Sequence, residues 1–254
     1  MPDDATEKTE KKIPYPIRLN RYIASCGIAA RRKADDLIAS GRVTVDGAVE
    51  TSLGRVLHAP AAVCVDGAEI GVARPVYIVM NKPRGVLSAV SDERERTVVD
   101  LLPDFYRSLG VFPVGRLDRE SEGLILLTND GMFAQDLIHP SKGVRRTYLV
   151  QLRYEMSEKR VSEWRGGVMI DGRLCKPLEV TCETGDTTGR RYRVVLGEGF
   201  KREIRLMAHA LGNRVVRLQR IAIGELFLKK LPVGAFCEYN CSEIANMISR
   251  GGQV

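Results

Sequence analysis

The stretch GRLDRESEGLILLTNDG, residues Gly115 to Gly131, joins two unlike halves. The second half is an apolar run, Leu124 to Leu127, closed by Asn129-Asp130-Gly131. It reads as a buried strand ending in a tight turn. The first half puts an acid, Asp118, at the mouth of that strand, between Arg116 and Arg119, with Glu120 and Glu122 just downstream. A carboxylate so placed can ligate a metal, transfer a proton or attack as a nucleophile. A metal needs partners at ligand spacing. The three histidines (58, 139, 209) and six cysteines (26, 64, 175, 182, 237, 241) offer no such pattern. Glycosidase chemistry needs a second carboxylate across one sugar bond, for which Glu120 and Glu122 are candidates. A lone nucleophile needs a cation to keep it ionised in a closed pocket, and Arg116, Arg119 and Arg205 are candidates for that.

Working outward, the chain from Pro75 onward is written mostly in strands. VYIVMNKP is a buried run ending in a Lys-Pro turn; TYLVQL, RYRVVLGEG, RLQRIAIGEL and AFCEYN are further strands. Helical patterns fall at 96–109, 131–139, 157–165, 201–211 and 241–249. Strands in succession with helices interspersed irregularly predict an α+β domain with a mixed, largely antiparallel sheet flanked by helices.

Residues 17–50 have a different grammar. Leu19, Tyr22, Ile23 and Cys26 keep the rhythm of a helix with one apolar face, stopped at Gly27. Ala30, Ala34, Leu37 and Ile38 mark a second helix, stopped at Gly41. RVTVDG and, at 62–70, AVCVDGAEI carry the Asp-Gly hairpin signal. The expectation is two short helices on a small hairpin-rich sheet.

The charge is uneven. The chain carries a net charge of +7, and the stretch from Arg190 to Arg220 alone holds nine Lys/Arg against Glu198 and Glu203, so that stretch carries all of it. Such concentration suits a polyanionic partner. The polar first residues lack the apolar core of an export signal, which favours a cytoplasmic protein with reduced thiols. No run is apolar enough to span a bilayer.

Four motifs, NKPRG (81–85), GRLD with EGLILLTNDG, RRTYLV and EGFKREIRLMAHALGNRVVRLQRIAIGEL, occur in this order behind RLNRYIASCGIAARRKADDLIASGRVTVDG. Together they resemble the ribosomal RNA pseudouridine synthases that carry an N-terminal S4-type RNA-binding domain. The resemblance implies a disordered leader over 1–15, an S4-like domain over 16–74 and a catalytic domain over 75–254. It implies an isomerase acting on a uridine of ribosomal RNA, free or in a pre-ribosomal particle, with large-subunit RNA favoured over small-subunit RNA. The reaction it implies needs no cofactor; ligand spacing and hydropathy give the expectation of no metal and no membrane, and a monomer is expected because no amphipathic stripe is left without a core role. Asp118 matches the family's nucleophile, Tyr148 the aromatic residue lying against the target base, and Arg205 the arginine paired with the catalytic aspartate. Lys82, Arg116, Leu117, Lys201 and Arg202 are the substrate-binding candidates. Arg18, Arg21, Arg31, Arg32, Lys33 and Arg42 are the RNA-binding candidates of the S4-like part. Arg146 replaces the family's usual Lys. Glu203 replaces its usual Gln, where an acid either weakens phosphate contacts or pairs with a neighbouring arginine. Whether Asp118 attacks the base or the ribose C1′ stays open. So do two competitors, a non-catalytic S4-type RNA-binding protein and a polysaccharide glycosidase. A single Trp and 6% aromatics provide little platform for the latter.

Overall fold

The computed structural model describes residues 14–139 and 142–249. Most of the expected leader over 1–15 lies outside the described residues. The chain divides into two compact units. One comprises 1–76 with 102–112 and 128–131, the other 77–101, 113–127 and 132–254.

In the first unit, β1 (Ile17–Arg18) leads into α1 (Leu19–Ser25) and α2 (Arg31–Ala39). These are followed by β2 (Val43–Val45), β3 (Ala48–Val49), β4 (Val56–Leu57), β5 (Val63–Val65) and β6 (Ala68–Glu69). The helical rhythm read from the sequence is the buried face: Leu19, Tyr22, Ile23, Ala34 and Ile38 pack with Val43, Val45, Val63 and Val65 in one core. Both Asp-Gly pairs form the expected hairpins, β2–β3 and β5–β6, with positive φ at Asp46, Gly47, Asp66 and Gly67. The strands line up as β3-β2-β5-β6.

The remaining elements are β7 (Tyr77–Lys82), α3 (Asp104–Ser108), β8 (Phe112–Val114), β9 (Glu122–Thr128), α4 (Gly131–Ile138), β10 (Arg146–Leu152), α5 (Glu158–Gly166), β11 (Val168–Ile170), β12 (Arg173–Cys175), β13 (Glu179–Cys182), β14 (Arg191–Leu196), α6 (Glu203–Ala210), β15 (Val215–Ile223), β16 (Leu226–Phe227), β17 (Phe236–Tyr239) and α7 (Cys241–Ser249). The main sheet has nine strands, ordered β13-β14-β10-β15-β9-β7-β17, with β16 on β15 and β8 on β9. Its outer pairings, β13–β14, β14–β10, β10–β15 and β7–β17, are antiparallel, and β15–β9 is parallel. This is the expected α+β architecture. The continuous apolar runs β7 and β9 are covered on both faces, whereas β10 and β14 alternate: Tyr148, Val150 and Leu152 are buried, as are Tyr192, Val194 and Leu196.

The helix expected over 96–109 shrinks to Asp104–Ser108. Upstream, the backbone is committed elsewhere. Leu87 donates its N–H to Arg96 O and accepts that of Val98, while the Asp100 carboxylate takes both the N–H and the hydroxyl of Thr97. Side-chain acceptors of this kind compete with the helical ladder, and Pro103 disfavours helix in the residue before it. Among the described residues no helix is long and apolar enough to cross a membrane, and no group of three His, Cys, Asp or Glu side chains could hold a metal.

Candidate active site

Asp118 does not start the buried strand. It sits in the turn before it, where Ser121 donates its N–H back to Asp118 O at 2.9 Å. That turn is fastened at almost every backbone position. Ser88 Oγ donates to Leu117 O at 2.8 Å and accepts the Leu117 N–H at 3.1 Å. Gly85 N–H donates to Arg119 O at 2.7 Å. Lys82 Nζ donates to Ser121 O at 2.8 Å, Pro83 O at 3.1 Å and Asp118 O at 3.3 Å. From α6, Arg205 Nη2 donates to Glu120 O and Ser121 Oγ, each at 3.3 Å.

Ion pairs hold the turn's flanks. Arg119 pairs with Glu95, Glu120 with Arg202 at 3.5 Å, and Glu122 with Arg217 at 2.5 Å. Glu120 and Glu122, read first as rival acids, are thus anchors. The Asp118 carboxylate is the exception: among the described residues no hydrogen bond or ion pair holds it. It lines a cavity of about 770 Å³. A half-buried carboxylate on a rigid turn, with its oxygens unspent, is arranged to meet something that enters the cavity.

Arg116, Leu117, Tyr148, Lys201 and Arg202 line the same cavity, together with Arg146, Arg173, Glu203 and Arg220. Cations therefore surround the unpaired Asp118 carboxylate, which suits an anionic backbone. Arg202 holds a left-handed φ of 58° at the start of α6, a conformation costly for a side chain that large and of the kind found at functional sites.

Two candidates stand elsewhere than the sequence reading puts them. Lys82 is 0% exposed and does not line the cavity. It sits beneath the turn with its ammonium spent on three carbonyls, so it supports the site from behind the cavity wall. Burial pushes its pKa down to about 8, against the pull of Asp118 and Glu122. Arg205 likewise binds the backbone and Ser121 of the turn, not the Asp118 carboxylate. Burial lowers its pKa, and Glu120 and Asp118 counteract that. The expected Arg205–Asp118 ion pair is replaced by a contact one step removed.

Among the described residues Glu203 does not form the ion pair with a neighbouring arginine, one of the two courses expected of an acid there. It is 3% exposed, and its Oε2 accepts the Phe200 N–H at 3.2 Å, closing the loop before α6, while Oε1 is buried without a partner. The neighbouring arginines pair elsewhere, Arg202 with Glu120 and Arg173 with Glu198. Burial raises the Glu203 pKa, which favours the neutral carboxyl and brings it chemically closer to Gln.

In the first unit, Arg18, Arg31, Arg32 and Lys33 are exposed and Arg21 is half-buried. Arg42 is held by both oxygens of Asp66, at 2.7 and 2.5 Å, so its donors are partly committed. Sequence reading overlooked Ser88, Ser121 and Gly123. Gly123 faces Arg220 across the parallel β9–β15 pairing, and a Cβ on it would lie 2.2 Å from Arg220 O.

Comparison with known proteins agrees with this layout. A family model described as RNA pseudouridylate synthase matches residues 76–210, and an S4 domain model matches residues 17–59. An uncharacterized RNA pseudouridine synthase of Bacillus subtilis, YtzG, is 36% identical over 84% of this chain and 90% of its own length. The ribosomal large subunit pseudouridine synthase B of the same organism is 33% identical over 91% and 95%. A crystal structure of a pseudouridylate synthase superposes with a TM-score of 0.65 at 26% identity, covering 91% of this chain and all of that one. With the pseudouridylate synthase model covering more than half of the chain, and relatives of this identity matched over most of their length, the chain belongs to the RNA pseudouridine synthase family.

Proposed function

We propose that this enzyme converts a uridine of ribosomal RNA to pseudouridine, with large-subunit RNA as the target and Asp118 as the nucleophile. The observation that carries the reading is the fastened turn with its unspent carboxylate in a cation-lined cavity. The family membership supports the reaction class. The large-subunit target rests on relatives such as the B. subtilis large subunit synthase B.

The uridine leaves its stack to enter the cavity, at a cost of a few kcal/mol. Tyr148, buried in the wall, offers the ring a stacking face. Asp118 attacks the base or the ribose C1′, the N1–C1′ bond breaks and N1 takes up a proton, the uracil turns, and a C5–C1′ bond forms as the C5 proton leaves and the bond to Asp118 is released. Arg116, Lys201 and Arg202 neutralise phosphates around the flipped nucleotide. The exposed arginines and lysine of α2 and Arg18 grip RNA further along, so phosphate contacts position the RNA while the cavity reads the base. On this reading the enzyme works in the cytoplasm, as a monomer, on ribosomal RNA or a pre-ribosomal particle.

Mapping pseudouridine across all stable RNAs, in cells with and without this gene, tests the assignment. Loss of one site in large-subunit rRNA is the expected result. A lost site confined to small-subunit rRNA or tRNA moves the target, and no lost site anywhere removes the activity.

A further inference from the structure

Phe200 is an apolar ring in a polar wall. It is half-buried and lines the cavity that holds Asp118, beside Arg173, Lys201 and Arg202. Its backbone is fixed on both sides. Glu203 Oε2 accepts the Phe200 N–H at 3.2 Å, and Phe200 O accepts the Glu203 N–H at 3.3 Å. The ring itself is set by Arg173, whose guanidinium carbon lies over it, 5.4 Å from the centroid. Arg173 directly follows Asp171 and Gly172, the two positive-φ residues that turn β11 into β12, so it stands on a tight hairpin. The Glu198 carboxylate pairs with the same guanidinium, and both partners are about half exposed, at 50% and 48%. An ion pair and a cation–π contact this exposed contribute about 1 kcal/mol or less each. What the arrangement achieves is an aromatic ring held in one place on the cavity wall.

We propose that Phe200, backed by Arg173, is the stacking platform for a nucleobase immediately next to the target uridine. This rests on the reading given under Proposed function and adds a second subsite for the same RNA. The cavity has room for it. Its volume of about 770 Å³ lies high in the range of roughly 300–1,000 Å³ that holds whole drug-sized ligands, far larger than a single uracil ring. Among the described residues, Tyr148 and Phe200 are the two Phe, Tyr or Trp rings in its wall. Tyr148 is assigned to the target base. When that base leaves the stack, its neighbours each lose a stacking partner. A fixed aromatic face offered to one of them replaces what is lost. The phenyl ring has no donor or acceptor, so it accepts any base by its π-face. Arg173 covers one face of the ring, the base takes the other, and the exposed guanidinium is placed for the adjoining phosphate.

The test removes each partner in turn, one from the protein and one from the RNA. The full chain, as wild type or Phe200→Leu, is given the rRNA segment that the wild type modifies. That segment is intact, or carries one abasic residue immediately 5′ or 3′ of the target uridine. Filter-binding Kd, single-turnover tritium release from 5-tritiated uridine and thermal melting are measured. Phe200→Leu keeps apolar bulk and loses the flat face. Its Kd for intact RNA is expected to rise roughly 10- to 100-fold, the scale of one base–aromatic stack. One of the two abasic RNAs is expected to weaken wild-type binding by the same factor, and to bind Phe200→Leu no more weakly than intact RNA does, because both changes remove one contact. An unchanged Kd in Phe200→Leu overturns the proposal. So do losses that multiply for both abasic RNAs, the result if Phe200 only shapes its own loop. Should Phe200→Leu fail to fold, Phe200→Trp decides, since it widens the platform. Tighter binding that an abasic neighbour cancels supports the proposal, and unchanged or weaker binding overturns it. Normal tritium release with no effect of Phe200→Leu overturns this inference alone. A wild-type enzyme that releases no tritium from any RNA overturns the functional reading itself, and this inference with it.

Discussion

The ammonium of Lys82 donates to the Ser121 carbonyl at 2.8 Å from beneath the turn that carries Asp118, and the same nitrogen reaches two more carbonyls, those of Pro83 and Asp118. One buried cation thus sets the backbone path of the catalytic turn from the end of the neighbouring strand. Removing it as Lys82→Met keeps the bulk and loses all three bonds. The single-turnover rate is expected to fall by roughly 100-fold, the scale for a displacement of about 1 Å in a reacting group, while RNA affinity stays the same. Equal losses in rate and affinity would place Lys82 in substrate binding after all.

Lys82 also gives the enzyme a pH dependence. Its folded pKa of about 8 lies below the ordinary 10.5, so the folded protein releases this proton first. Between those two values the unfolded chain binds more protons, and this group's contribution to stability rises with pH. Activity moves the other way, because a neutral amine has two N–H groups for three carbonyls. The rate is expected to fall with a midpoint near pH 8 while the melting temperature does not drop. A rate that is flat well past that midpoint would show that the turn does not depend on the charge.

Gly123 is fixed by backbone geometry. Its φ is 105° and an added Cβ would sit 2.2 Å from Arg220 O. Gly123→Ala is expected to destabilise by about 3 kcal/mol, which lowers Tm by roughly 10 °C in a chain of this size. Gly131→Ala is the control. Nothing lies within 4 Å of its added Cβ at the start of α4, and Tm should hold or rise slightly.

Glu203→Gln removes a buried acid whose Oε1 has no partner and keeps an acceptor for the Phe200 N–H. Stability at neutral pH is expected to rise by about 1 kcal/mol, or roughly 2–4 °C in Tm. The gain should shrink as pH falls and the raised Glu203 pKa lets the carboxyl protonate. A loss of stability at neutral pH would mean that the charged form has a partner it needs.

The fold and the place of the candidate acid were legible because each leaves a local mark: period-2 and period-3.6 apolar patterns, Asp-Gly turns, and an acid amid arginines before a buried run. The supporting residues were not. Lys82 ends an apolar strand at a turn and was read as a substrate-binding candidate, yet acceptors that justify its burial lie 36 and 39 residues away. Arg205 was expected to pair with the Asp118 carboxylate, but the atoms it touches, Glu120 O and Ser121 Oγ, depend on side-chain reach that spacing does not encode. Val98, Val99 and Leu102 fall in the part of the expected helix at 96–109 that does not form. They are buried, but as a loop whose backbone bonds to Leu87.

The central claim is that Asp118 attacks while the rest of the turn only holds it. Tritium release from 5-tritiated uridine in the target rRNA, compared between wild type and Asp118→Asn with RNA binding measured alongside, tests it most directly. The account expects release to vanish in Asp118→Asn with RNA affinity unchanged. Release at the wild-type rate in that variant would contradict it.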